Sequence, residues 1–368
     1  MGQQVGVGIV GLGAISGHYL SSIEALDSLR LVAVADIDHD RALSVAAELP
    51  DVLALPVEEL LARPEVEVVV NLTPPALHAS VAMAAIAAGK SVYNEKPLAT
   101  TLEEGREILA AAAEAGVRVG GAPDTVLGQG VQTARHLIDD GLVGPPTAAM
   151  ATFVCPGHES WHPNPDFYYD VGGGPLFDMG PYYVTALVTL LGPVTSVVGG
   201  GNTSRSTRTI GTGPRAGETI PVNVLTHVTG ILTHESGAVS TLTMSFEGTT
   251  SSAAPIEVHG PLGTLLVPDP NNFEGKVRHR RPGDTDWRDL PVAAGYAAGG
   301  RGLGVAELMA PDDAAEARTR GELALHVLDV MESIVDSAEA SRAVEITSPV
   351  ARPVGVPLSK EPVPSAGG

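Results

Sequence analysis

The sequence predicts a doubly wound parallel α/β domain followed by a second domain built on a large sheet. Three observations carry that expectation. An apolar, β-branched run, Val5–Val10, opens directly into a glycine-rich turn; strand-like and helix-like segments alternate as far as Gly120; and from Val194 onward strand-like runs are separated mainly by turn signals. Length agrees, because 368 residues suit about two domains of roughly 150 residues each. The chain is 44% hydrophobic and 18% charged, a globular balance, and its 43 glycines and 29 prolines imply many turns.

Val5–Val10 reads as a buried parallel strand. Gly11-Leu12-Gly13-Ala14-Ile15-Ser16 then gives G-x-G-x-x-S. Such a turn needs a tight bend at Gly11 and room at Gly13 for a pyrophosphate, which meets a helix N-terminus at Ala14 and Ile15. The overlapping Gly6-Val7-Gly8-Ile9-Val10-Gly11 would put the phosphate loop inside the strand and is rejected. A helix follows over Ile15–Leu26, then a strand, Leu31–Ala35, ending in Asp36. An acidic residue about 20 residues after the loop is placed to hold ribose hydroxyls, which points to NAD. Arg41 lies close enough in sequence to soften repulsion of a 2′-phosphate, so NADP is the alternative. Next come a helix over Arg41–Leu49, a short strand near Val52–Leu55, a helical turn, and the strong strand Val66–Leu72. The last ends in Thr73-Pro74-Pro75, where the pre-proline restriction keeps Thr73 out of a helix and Pro75 opens the next one. That helix runs to Ala88 and is capped by Gly89. Ser91–Tyr93 is a strand leading into Asn94-Glu95-Lys96-Pro97, and helix Leu102–Ala115, Gly116 and strand Val117–Gly120 complete the sheet. Ligands collect at the carboxyl ends of such strands, where Gly11, Asp36, Thr73 and Lys96 all fall.

Beyond Asp124 the pattern changes. Gly130–Asp140 reads as a helix and Thr147–Val154 as a strand. A polar, aromatic loop follows, carrying His158, Trp161, His162, Tyr168 and Tyr169; these are candidate substrate contacts, with a surface loop as the plain alternative. Pro175–Leu191 is helical, with Pro181 expected to kink or restart it. Strand-like runs cover Val222–Thr233, Ala238–Phe246, Ala254–His259 and Gly263–Val267, and the Gly/Ser/Thr/Arg-rich segment Gly199–Gly217 is expected to loop out. Gly321–Ala340 is an amphipathic helix, and Ser348–Gly368, with five prolines, an extended arm. The expected divisions are therefore 1–122, 123–347 and 348–368.

The glycine loop, Thr73-Pro74-Pro75 with His78, and Gly89-Lys-Ser-Val-Tyr-Asn-Glu95-Lys96-Pro97 together resemble the glucose-fructose oxidoreductase / inositol dehydrogenase / MocA (Gfo/Idh/MocA) family. Gly172-Gly-Gly-Pro-Leu-Phe-Asp178-Met-Gly-Pro-Tyr182 is similar to that family's glycine-led active-site helix, and the C-terminal helix with Ser348-Pro-Val-Ala-Arg352-Pro353 extends the resemblance over nearly the whole chain. It implies an N-terminal Rossmann domain and a C-terminal domain on an open, mostly antiparallel sheet that often packs against a second subunit, giving a homodimer or homotetramer. The implied cofactor contacts are Gly11, Gly13, Ala14 and Ile15 in the loop, Asp36, then Thr73, Pro74 and His78, and finally Glu95 and Lys96; His78 is equally explained as a cap or packing residue.

Oxidising an alcohol with NAD requires a group that takes the hydroxyl proton as the hydride leaves. Most relatives carry Asp-x-x-x-His on the active-site helix, whereas this chain has Asp178-x-x-x-Tyr182. Four residues apart on a helix, the two share a face. Tyrosine, with a reference pKa of about 10, needs a neighbouring ammonium to act near neutrality, the role assigned to Lys96, with Asp178 orienting the substrate hydroxyl or the lysine. Tyr183 and His162 are alternative proton donors, and a half-buried core tyrosine is the plain reading of Tyr182. The expected activity is hydride transfer between nicotinamide and a secondary alcohol or ketone of a sugar, glycoside or cyclitol. An NADPH-preferring or tightly nucleotide-holding sugar oxidoreductase, or a non-catalytic NAD(P) sensor, are the alternatives.

A formal net charge of −21 opposes nucleic-acid binding. The single cysteine, Cys155, has no internal partner, and no Cys/His spacing suggests a metal. No segment calls for a membrane, and the N-terminal run lacks a basic leader, so a cytoplasmic location is expected.

Overall fold

The computed structural model describes residues 4–310 and 318–362. By contacts the chain divides into two compact units: residues 1–128, 294–328 and 353–368 in the first, and 129–293 with 329–352 in the second.

The first unit opens with β1 (Val5–Val10), α1 (Ser16–Ala25), β2 (Leu29–Ala35), α2 (His39–Ala47), β3 (Leu53–Ala54) and α3 (Val57–Ala62). It continues through β4 (Val68–Asn71), α4 (His78–Ala87), β5 (Ser91–Asn94), α5 (Leu102–Ala115) and β6 (Val119–Gly121). The strands form one parallel sheet in the order β3-β2-β1-β4-β5-β6, the doubly wound arrangement. Every residue of β4 and β5 is buried, the polar Asn71, Ser91 and Asn94 included, and the apolar stretches Val68–Val70 and Val92–Tyr93 mark the strands. Local signals and tertiary structure agree best at α5. Thr101 and Glu104 cap its start reciprocally, and Gly116 ends it at φ 68°. Pro75 opens a single 3₁₀ turn, Pro75–Leu77, and the α-helix begins only at His78.

The second unit contains α6 (Gln129–Asp139), β7 (Ala148–Val154), α7 (Gly174–Leu191), β8 (Val194–Asn202), β9 (Thr207–Thr209) and β10 (Thr219–Pro221). After these come β11 (His227–His234), β12 (Val239–Ser245), β13 (Ile256–Gly260), β14 (Gly263–Val267), β15 (Arg278–Arg280) and β16 (Arg288–Asp289). The remaining elements are α8 (Leu303–Met309) in the first unit, α9 (Gly321–Ala340), and β17 (Val344–Glu345) in the second. A nine-stranded sheet runs β16-β15-β14-β13-β7-β12-β11-β8-β17, antiparallel throughout except for the β7–β12 pair. α7 packs on β7, β11 and β12. Met150, Val198, Ile231 and Val239 of the same sheet stay exposed.

Three expectations are corrected. Residues 123–347 do not form one contiguous domain: Tyr296 bonds back to Leu127, Ala297 and Ala298 bond to Ser359 and Lys360, and Thr319 receives the Gly121 N–H, so 294–310, 318–328 and, from the Pro-rich arm, 353–362 join the first unit while 348–352 stay with the second. Residues 363–368 of that arm lie outside the described residues. Pro181 neither breaks nor restarts α7. A mid-helix proline costs about 3 kcal/mol, and α7 is buried on nearly every face, so its packing outweighs that penalty. The Gly199–Gly217 segment is not all loop, since β8 extends to Asn202 and β9 pairs with β10. Two large buried side chains, Arg208 and Ile210, explain the difference, Arg208 tying β9 inward.

Candidate active site

In the first unit the carboxyl end of β1 turns at Gly11, whose φ of 96° favours glycine. A Cβ there would stand 2.7–2.8 Å from the backbone of Leu72 and Thr73. Nothing lies within 4 Å of a Cβ built on Gly13, so space outside the loop is open, and Ala14 is exposed with Ile15 at the N-cap of α1. Asp36 Oδ2 accepts the Leu12 N–H at 2.7 Å, its Oδ1 accepts from Asp38 N at 2.8 Å, and Arg41 approaches at 3.4 Å. One carboxylate thus braces the turn and stands at the end of β2. Ile37, fully exposed beside it, was missed from the sequence; its signal is a bulky apolar residue directly after the acidic one.

The ends of β4 and β5 are riveted together. Asn71 Nδ2 donates to Asn94 Oδ1 at 3.0 Å, and Asn94 Nδ2 to the Leu98 carbonyl at 2.8 Å. Thr73 Oγ1 donates to Asn71 Oδ1 at 2.7 Å, while Pro74 is exposed. His78 is buried with Nδ1 2.6 Å from the Pro97 carbonyl and Nε2 2.8 Å from that of Thr73. It therefore spans the two strand ends from inside. Glu95 also points inward. Its Oε1 accepts from Tyr19 at 2.9 Å, its Oε2 from the Lys96 N–H at 2.9 Å, and Arg301 lies 3.9 Å from Glu95 and 3.7 Å from the fully buried Asp124. Burial holds the Asp124 carboxyl above its ordinary pKa, with Arg301 and the Gly302 and Gly304 N–H groups pulling it back. Tyr19, Asp124 and Arg301 were missed, because no local pattern brings position 301 to position 95. Their effect is to fix the peptide that presents the partly exposed Lys96.

Both ring nitrogens of His78 face carbonyls, which only accept, so a neutral ring satisfies one of them. Burial is the larger influence and holds the ring below its ordinary 6.5, the two carbonyls opposing it. A base that resists protonation in the folded state stabilises the fold above its unfolded pKa and loses that contribution as pH falls below it. We expect thermal unfolding of His78→Asn to lack part of the acid sensitivity of the wild type. The difference between the two should shrink from pH 7 downward, by at most about 1.4 kcal/mol per pH unit; a constant difference would contradict this.

In the second unit α7 carries Asp178 and Tyr182. Asp178 Oδ2 lies 2.8 Å from His158 Nε2, and His158 Nδ1 receives the Trp161 indole N–H at 3.2 Å. His158 packs edge-on against Tyr168 and Phe246. Beneath it, fully buried Arg208 ties Glu159 at 3.0 Å, Glu247 at 2.7 Å and the Pro156 carbonyl, and Tyr169 donates to Glu159. Tyr182 is 6% exposed. Tyr183 is committed elsewhere: its hydroxyl donates to Asp269 at 3.4 Å, and burial, then Asp269, push its pKa far up. His162 sits on the loop, its Nδ1 accepting from Asn164 N at 3.1 Å. Among the described residues no group of three or more His, Cys, Asp or Glu could hold a metal, and no helix is long and apolar enough to cross a membrane.

Residues 5–121 match the oxidoreductase family model with an NAD-binding Rossmann fold, and 131–266 the GFO/IDH/MocA C-terminal domain. The chain belongs to the Gfo/Idh/MocA family. Among curated relatives it is 38% identical over 126 residues to 1,5-anhydro-D-fructose reductase of Ensifer adhaerens, covering 33% of this chain and 37% of that enzyme. To inositol 2-dehydrogenase of Agrobacterium fabrum it is 41% identical over 118 residues, 31% and 35% of the two chains. The match thus spans little more than a third of those relatives. A solved NAD binding oxidoreductase from Klebsiella pneumoniae superposes with TM-score 0.79 at 26% identity, over 94% of this chain and 100% of that one. Levoglucosan dehydrogenase in its apo form superposes at 0.78 with 20% identity, over 95% and 100%, a likeness of fold alone. The sharp turn at Gly11, the open space at Gly13 and the Asp36 carboxylate fit the dinucleotide that this family's domain binds.

Proposed function

We propose that this chain is an NAD-dependent oxidoreductase acting on a secondary alcohol, or the corresponding ketone, of a sugar, glycoside or cyclitol. The observation that carries the reading is the inward set of Glu95, which fixes the Lys96 peptide at the end of β5, in a family whose relatives include inositol and anhydrofructose enzymes. The nicotinamide, when bound, accepts or returns the hydride. Tyr182 exchanges the proton with the substrate hydroxyl oxygen, assisted by the Lys96 ammonium, and Asp178 receives a hydrogen bond from the substrate. Gly11, Gly13, Ala14 and Ile15 hold the pyrophosphate, with Thr73 and Pro74 lining the approach to the nicotinamide. Asp36 holds the adenosine ribose, and Ile37 gives the adenine an apolar face. A second copy of the chain packs on the exposed sheet face around Met150, Val198 and Ile231, giving a dimer or tetramer.

The test is NADH formation, read from its near-ultraviolet absorbance, when purified protein meets NAD and a panel of sugars, glycosides and cyclitols. Tight NADH binding without turnover of any of them, together with a co-purifying protein partner, favours a sensor instead. For cofactor choice, Asp36→Ala is expected to erode the preference for NADH over NADPH, read as the ratio of their Kd values by fluorescence. Because Asp36 also braces Leu12, both affinities should fall; a fall with an unchanged ratio would show that the carboxylate serves the turn alone.

A further inference from the structure

The loop between β7 and α7 carries an arrangement that the proposed proton transfer does not use. The Trp161 indole N–H only donates, so His158 Nδ1, 3.2 Å away, must accept. The ring proton then lies on Nε2, which faces Asp178 Oδ2 at 2.8 Å. One hydrogen bond therefore selects the tautomer that donates to Asp178. The ring is held in place by Tyr168 at 4.4 Å and Phe246 at 4.7 Å, centroid to centroid, and the loop base by buried Arg208. Trp161 is anchored through its nitrogen, yet the residue is 56% exposed, and Phe167 nearby is 55% exposed. An aromatic face that is wet on one side and hydrogen-bonded at its polar edge suits an amphipathic ring. Pyranoses and cyclitols are such rings, with a C–H face and a hydroxyl rim.

We propose that this loop is the substrate-specificity element: Trp161 stacks on the C–H face of a cyclic sugar or cyclitol, and His158 is the positioning residue that orients Asp178 toward that ring's hydroxyls. The proposal rests on the oxidoreductase reading for its placement of substrate at Asp178, but its binding step is independent of turnover. It distinguishes cyclic substrates, which offer a flat C–H face, from acyclic polyols, which do not.

The test uses the full chain with NADH. Saturation-transfer NMR with glucose, myo-inositol and the acyclic hexitol sorbitol should show binding of the two rings, weakened about tenfold or more in Trp161→Ala and little in Trp161→Phe. Imidazole ¹⁵N shifts should place His158 in the Nε2–H form in the wild type and show mixed tautomers in Trp161→Phe. In turnover, His158→Phe should lower kcat with KM little changed, and His158→Gln, which keeps a donor for Asp178, should recover much of it. Ring binding that Trp161→Ala leaves intact, no ring binding by the wild type, or a His158 proton on Nδ1 would each overturn the proposal. Ring binding without hydride transfer would sink the oxidoreductase reading and leave this one standing.

Discussion

Lys96→Ala is expected to lower kcat by about 10²–10⁴-fold, the span of a lost proton-transfer contribution, while the Kd for NADH changes little. The two readouts separate because the ties that position this segment are made by other groups. The Lys96 backbone N–H donates to Glu95, Glu95 accepts from Tyr19, and Pro97 meets His78 through its carbonyl. Alanine preserves all three. Fluorescence titration with NADH and steady-state kinetics on the same preparation measure the two effects. A parallel loss of binding and turnover would make Lys96 a cofactor anchor rather than an aid to proton transfer.

Tyr182→Phe is expected to be equally severe, about 10²–10⁴-fold in kcat, with the melting temperature nearly unchanged because the buried ring is retained. Tyr183→Phe is the control. Its hydroxyl is spent on Asp269 and its pKa is pushed upward, so its loss should leave kcat within a few-fold of wild type. Near-normal activity in Tyr182→Phe would move the proton role to the loop histidines.

The first unit was legible because a parallel sheet covered on both faces writes its strands as largely apolar runs, alternating with helical stretches. Leu102–Ala115, closed by Gly116, was readable to the residue, as were β14 and α9. The bend at Gly11 was readable from the glycine spacing together with its place at the end of an apolar strand. What escaped was long-range and aperiodic. Nothing in the sequence around 294–310 announces that its backbone returns to Leu127 and Ser359, or that Arg301 comes near Glu95. Glu95 itself, expected among the cofactor contacts, turns out to be internally bonded, which residue type alone could not reveal. The pairing of His158 with Asp178 joins a loop to a helix across twenty positions, a partnership that no local spacing announces. The β9–β10 hairpin hid in a Gly/Ser/Thr-rich stretch because the buried residue of β9 is Arg208, a residue type that sequence patterns assign to the surface, with Ile210 and Ile220 isolated among polar neighbours.

Hydride transfer from a carbinol carbon to nicotinamide leaves an isotopic signature. Incubating the protein with NAD and glucose or myo-inositol deuterated at every ring carbon, then weighing the nicotinamide product by mass spectrometry, reads it. NADH carrying one deuterium is expected. NADH that forms without deuterium, or no reduced cofactor from any cyclic polyol under conditions where NADH binds, would contradict that transfer.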